Sequence, residues 1–367
     1  MSTTNQHGGN IDAIKRTYGI LKDQIIDFSG NVNPLGAPPS VLHAVMKNLS
    51  VLSHYPDACY VDLRAAAAAY AGVSQEAVLV GNGATELIAL FIKTQVCAGQ
   101  KAVVVAPAYS EYEREINNAL CGLDLFPLEE TDGFNLNVPK LLVRLSSDAQ
   151  TKLLVMCNPN NPTGTAVPQD DMIQILDYCI QRGICVMVDE TYVEFAADDS
   201  LSAAGLVGGY PNLFVIRGTS KLFAVPGLRL GYALCGCANT RDKINTYQNP
   251  WSVNTLADIA GRVMFADKSF IAQTRALILT EKQKIRAILE TWPNIRLYDS
   301  HANFMLVKLL ENCPHTSSEI FEKLIQQRLL IRDCAAFSFL GDRFIRFCIL
   351  MPKENEMLLA ALKRLIC

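Results

Sequence analysis

Between Pro56 and Asn249 the chain alternates short apolar runs with stretches of helical period, a pattern that few architectures accept. The runs "AVLVGNG", "KAVVVAP", "KLLVMCNP", "GICVMVDE" and "NLFVIRG" are continuous rather than alternating, as strands covered on both faces must be. Between them, "TELIALFIKTQV", "YSEYEREINNAL" and "QDDMIQILDYCIQRG" space their apolar residues for helices, and "AAAAAY" at Ala65 to Tyr70 has strong helix propensity. The expected fold class is therefore α/β, with a mostly parallel sheet in a large domain. After "NPWSVN" the pattern changes to long helical stretches reaching about Glu290, then to "NFMLVKL", "LLIRD" and "RFIRFCIL" with helices between them. This predicts a smaller α+β domain that the first fifty residues join. The expected division is 1–55 as an N-terminal arm and part of the small domain, 56–249 as the large domain, and 250–367 as interdomain helices and the rest of the small domain. A cleft between two such domains is a common place for a ligand.

Composition narrows the function classes. Half of the 367 residues are apolar and 19% are charged, enough for a substantial core. A net charge of -3 leaves no basic surface for nucleic acid, and no Lys/Arg run suggests a membrane-facing patch. No apolar run approaches bilayer length, and "MSTTNQHGGN" lacks the apolar core of a signal peptide. Twelve cysteines lie scattered in apolar contexts, with no CxxC and no second cluster to match "CGC" at Cys235 to Cys237. Reduced buried thiols, a cytoplasmic location and no metal are the expectations.

In open α/β sheets, ligands bind beyond the carboxyl ends of the strands, so the residues that follow each run belong together. After "AVLV", the segment "GNGATE" leads glycines into a helix start, where Gly83, Ala84 and Thr85 form an anion cradle. Glu86 occupies the third glycine position of a dinucleotide fingerprint and excludes that reading. After "KLLVMC" comes "NPNNPTG", a turn that presents asparagine side chains. After "GICVMV" comes Asp189, with Tyr192 three residues on; an acid there is costly to bury without a cation or donors. After "NLFVI" comes "RGTSKLFAVPGLRLGY", with Ser220, Lys221 and Arg229. A lone lysine beside Pro226 and Gly227 could be an ordinary turn residue, but one placed at a strand end among apolar neighbours loses proton affinity and becomes a candidate imine former.

One ligand accounts for the whole set. Pyridoxal 5′-phosphate needs a lysine, here Lys221; an acid for its ring nitrogen, Asp189; donors to its ring hydroxyl, Asn161 and Tyr192; and an aromatic face, Tyr109. Its phosphate needs donors such as Gly83 to Thr85, Ser220 and Arg229.

With "NPNNPTG", "VDETY" and "SKLFAVPGLRLGY" in place, the chain resembles the fold-type I pyridoxal-phosphate enzymes over nearly its whole length. The resemblance implies the roles just given, with Lys221 as the Schiff-base lysine and Asp189 as the pyridinium partner. "HYPD" is similar to a segment whose tyrosine, here Tyr55, reaches the phosphate in the neighbouring subunit, which implies a homodimer with shared sites. One departure is Gly218, where many relatives carry Ser or Thr three residues before the lysine; it bears on cofactor affinity.

Within that fold the chain resembles two branches, histidinol-phosphate aminotransferases and threonine-phosphate decarboxylases. "HGGN" at His7 to Asn10 and "DFSGNVNPLG" at Asp27 to Gly36 look like the decarboxylase opening. That resemblance implies substrate contacts from His7, Gly8, Asn31, Asn161, Arg332 and Arg346. The expected reaction is decarboxylation of O-phospho-L-threonine or O-phospho-L-serine to (R)-1-aminopropan-2-yl phosphate or ethanolamine phosphate, for a cobamide linker. The alternatives are transamination of histidinol phosphate and, in another class, a non-catalytic regulator on the same fold. The complete set around Lys221 would be surplus to such a regulator.

Overall fold

The computed structural model describes residues 9–367. Its main sheet has seven strands in the order Val78–Gly81, Gly231–Cys235, Leu213–Gly218, Cys185–Asp189, Thr151–Cys157, Lys101–Ala106, Gly122–Pro127. All pairings are parallel except the two made by Gly231–Cys235, so the other six strands share one direction and one carboxyl edge. The predicted apolar runs form five of these strands, four central and one at the edge, and Val103, Val104, Leu154, Val155, Val186, Met187, Val215 and Ile216 are all buried.

Helices cover both faces because their apolar stripes require it. Helix Ala84–Gln95 buries Leu87, Ile88, Phe91 and Ile92, and Phe91 stacks on Phe214 of the sheet with ring centroids 4.1 Å apart. Each such side chain stabilises the fold by about 1.5–3 kcal/mol when fully buried. Helix Gln169–Gln181 packs Met172, Ile175, Leu176 and Cys179 inward in the same way.

A second, four-stranded antiparallel sheet runs Arg332–Asp333, Phe344–Cys348, Phe304–Leu309, Ile295–Leu297. The N-terminal segment joins this region: Ile26–Asp27 pairs in parallel with Leu329–Leu330, and the Cys348 amide donates to the Phe28 carbonyl at 2.8 Å. Helix Lys268–Leu289 connects the two parts of the chain, and Thr274 on it accepts a 2.7 Å bond from Asn33.

Three elements differ from the sequence expectation. "LLIRD" is two short strands in different sheets, Leu329–Leu330 and Arg332–Asp333, with Ile331 unpaired between them. Strand Gly122–Pro127 was not foreseen; it lies at the sheet edge, is only partly covered, and carries no continuous apolar run. Helix Val138–Ser146, started by Asn137 accepting from the Lys140 amide, was also not foreseen. All twelve cysteines are free, and the described residues contain no metal-binding cluster. No helix among them is long and apolar enough to cross a membrane.

Candidate active site

A cavity of about 370 Å³ opens at the carboxyl edge of the main sheet, bounded on the other side by the second sheet and the N-terminal segment. It brings together Asn31, Ala84, Thr85, Tyr109, Asn161, Asp189, Tyr192, Ser220, Lys221, Arg229, Arg332 and Arg346. Twelve of the sixteen residues singled out from sequence thus line one space. Gly83 stands just behind it, Tyr55 lies elsewhere on the surface, and His7 and Gly8 fall outside the described residues.

Lys221 follows strand Leu213–Gly218 by three residues, where the turn aims its side chain across the cavity. Its Nζ donates to the Gly30 carbonyl at 2.7 Å. Burial, and next the Arg346 guanidinium, pull its pKa down from 10.5 to about 8. A substantial fraction of the amine is therefore neutral near physiological pH, as a nucleophilic lysine requires.

Asp189 ends strand Cys185–Asp189 and is buried. Its Oδ1 accepts from the Thr191 amide at 2.9 Å and the Thr191 hydroxyl at 2.5 Å, while Oδ2 accepts from the Tyr112 hydroxyl at 2.7 Å. Burial pushes its carboxyl above the usual carboxylate range, and these donors oppose the push. Tyr192 is buried edge-on against Phe304, and its hydroxyl accepts from Asn31 Nδ2 at 3.2 Å. Burial pushes the Tyr192 hydroxyl up, so it stays protonated and can donate.

The asparagine turn divides its labour. Asn158 donates its amide to the Asp189 carbonyl and its Nδ2 to the Leu201 carbonyl; Asn160 Nδ2 donates to the Pro107 carbonyl. Both hold the loop, which leaves Asn161 to face the cavity, where its Oδ1 accepts from Arg346 Nη1.

Gly83 has φ +81° and caps helix Ala84–Gln95 without a side chain. A Cβ there would collide with the Arg229 guanidinium, so the glycine allows an arginine to lie against the helix N-terminus. A cation beside the positive end of a helix dipole makes sense as half of an anion site. Glu86, the residue that excluded a dinucleotide fingerprint, accepts instead from the Asn82 amide at 2.7 Å. At Gly218 a Cβ would meet Ala84 and Thr191 only at 3.6 Å, so the lack of a hydroxyl there is not imposed by crowding.

Arg332 and Arg346 are direct cross-strand partners in the second sheet, and both are buried. Like charges placed opposite one another are unfavourable. Burial, and next Arg346, hold the Arg332 pKa below its ordinary value. Arg346 also donates to the Ser29 carbonyl at 2.8 Å and lies over the Phe304 ring, but its Nε has no partner among the described residues.

Sequence reasoning missed Tyr112, Thr191 and Glu113. Tyr112 lies three residues after Tyr109 with the rings edge-on, a helical spacing visible in "YSEY". Glu113 lines the cavity, and burial holds its carboxyl above the usual range. Nothing in its sequence context marked it.

Lysine, buried acid, aromatic face and anion cradle define the donor set of a pyridoxal-phosphate site, and the arrangement fits that cofactor. Residues 23–362 match the family model of aminotransferase class I and II, and the chain belongs to that family of pyridoxal-phosphate-dependent enzymes. It is 35% identical over 361 residues to the threonine-phosphate decarboxylase of Salmonella typhimurium, covering 98% of this chain and 96% of that protein. It is 30% identical over 362 residues to a histidinol-phosphate aminotransferase of Methanothermobacter thermautotrophicus, covering 98% and 94%. The crystal structure of the histidinol-phosphate aminotransferase from Clostridium acetobutylicum superposes with a TM-score of 0.85 at 30% identity, over 92% of this chain and 98% of that one.

Proposed function

We propose that the enzyme decarboxylates O-phospho-L-threonine or O-phospho-L-serine, giving the phosphorylated amino alcohol used as a cobamide linker. The observation that carries the reading is the opposed pair Arg332 and Arg346, a dicationic recess facing Lys221 across the cavity. A substrate with both a phosphate and a carboxylate suits two such guanidiniums. The "DFSGNVNPLG" segment and the 35% identity to a threonine-phosphate decarboxylase favour loss of CO₂ over transamination.

When bound, pyridoxal phosphate supplies an electron sink for the pair left as a bond to the substrate α-carbon breaks. The protein decides which bond that is. Arg332 and Arg346 fix the anionic groups, and Asn31 and Asn161 border the same recess. With the cofactor bound, Asp189 would balance a positive charge at the ring nitrogen, Asn161 and Tyr192 would donate to the ring hydroxyl, and Tyr109 would cover the ring. Thr85, Ser220 and Arg229 would hold its phosphate at the helix start. Lys221 Nζ, in its ammonium form, would give the α-carbon the proton that replaces CO₂ and be left as the neutral amine.

The same proposal includes a homodimer. Tyr55 is 79% exposed and lies tilted against Trp251 with ring centroids 4.6 Å apart, outside this chain's own cavity. Leu42, Met46, Leu49 and Leu52 near it are also exposed, a run of apolar side chains that a second copy would cover.

Transamination of histidinol phosphate remains a second reading because Glu113 sets an acid in the cavity, suited to an imidazolium. Mixing the holoenzyme separately with the three phosphorylated amines, with and without 2-oxoglutarate, separates the two. Sustained CO₂ release from either phosphoamino acid without a keto acid is expected. Glutamate formed from histidinol phosphate, with no CO₂ from the other two, overturns the decarboxylase reading.

The arginines give a further expectation. Arg332→Ala weakens substrate binding by about 2–5 kcal/mol while the cofactor spectrum is unchanged. Steady-state KM and equilibrium cofactor titration check it, and an unchanged KM makes Arg332 purely structural.

A further inference from the structure

The strongest feature that the proposed chemistry leaves unused is Tyr112. It is fully buried, sits three residues after Tyr109 in helix Ser110–Asn118, and directs its hydroxyl at Asp189 Oδ2 from 2.7 Å. An ionised carboxylate offers about four acceptor positions. Thr191 fills two on Oδ1 and Tyr112 fills one on Oδ2, which leaves a single position on Oδ2. Asp189 also lines the cavity, so the geometry gives the ring nitrogen one acceptor position rather than a choice of two oxygens.

We infer that Tyr112 is a positioning residue that fixes where Asp189 accepts the ring N–H and keeps that proton on the nitrogen; this rests on the assignment of Asp189 as the ring-nitrogen partner. Two opposing effects set the proton's place. Burial favours a neutral carboxyl, while each hydrogen bond donated to the ionised form favours the carboxylate. Without the Tyr112 hydroxyl, burial gains, and the proton moves from the ring nitrogen to Oδ2, leaving a neutral pair. No electrons are transferred and no co-reactant is needed. Cys157, packed against Tyr112 and lining the same cavity, donates its thiol to the Pro159 carbonyl at 3.1 Å.

The test compares wild type, Tyr112→Phe and Asp189→Asn, each as holoenzyme reconstituted with pyridoxal phosphate carrying ¹⁵N in its ring. Tyr112→Phe preserves the ring and its packing against Tyr109. Its nitrogen resonance is expected to move from the protonated toward the unprotonated position, with kcat about tenfold lower and KM within about twofold of wild type. A resonance that moves in Asp189→Asn but not in Tyr112→Phe overturns the inference and spares the Asp189 assignment. A resonance that moves in neither variant overturns that assignment itself. Equal rises in KM and falls in kcat without a resonance change mark Tyr112 as packing only and also overturn the inference.

Discussion

Lys221→Ala is expected to abolish turnover, lowering kcat by more than about 1,000-fold, since on the proposed reading it removes both the covalent attachment of the cofactor and the proton donor to the α-carbon. The variant should still take up pyridoxal phosphate through Arg229 and the helix start beside Gly83, but borohydride reduction should no longer fix the cofactor to the chain. Wild-type protein is expected to show the converse, a visible chromophore made permanent by reduction. Because Lys221 titrates near 8, the rate at which unloaded wild type captures the cofactor should rise with pH up to about that value and level off above it. The sign follows from the amine being nucleophilic only when neutral. Stopped-flow absorbance across pH 6 to 10 reads this directly, and a rate independent of pH would remove Lys221 from the role.

Asp189→Asn is the second large effect. A buried amide cannot balance a protonated ring nitrogen, and the loss of a preorganised charge of this kind lowers kcat by about 100- to 1,000-fold. The replacement also places an N–H donor where Oδ2 accepts the Tyr112 hydroxyl, or else turns its oxygen there and opposes the Thr191 donors instead. Cofactor affinity should fall modestly, since the proposed phosphate donors lie at the start of helix Ala84–Gln95 and in the segment after strand Leu213–Gly218, away from Asp189. Equilibrium titration separates this from kcat, and normal turnover in the variant would show that another group balances the ring.

Much of the site was legible because parallel sheets gather strand ends. Lys221, Asp189 and Asn161 each follow an unbroken apolar run, so their shared edge could be inferred without knowing any distance. Tyr112 could not be read that way: its partner lies 77 residues on, and a tyrosine on an amphipathic helix looks like core. The opposition of Arg332 and Arg346 depended on the register of two strands, one of them only two residues long. Edge strand Gly122–Pro127 escaped notice because partial exposure dilutes its apolar signal. Asn158 and Asn160 share a motif with Asn161 but spend their hydrogen bonds on the loop, a division fixed only by tertiary neighbours.

The paired arginines also bear on how stable the empty protein is. Sheet register holds two guanidiniums opposite each other on buried positions, so their repulsion is built into the native state and is absent from the unfolded chain. An anion between them removes that repulsion, and binding to the native state alone stabilises it by mass action. On the proposed reading, an anion held by both arginines therefore also raises the thermal stability of the second sheet, so that substrate binding and sheet stability are linked.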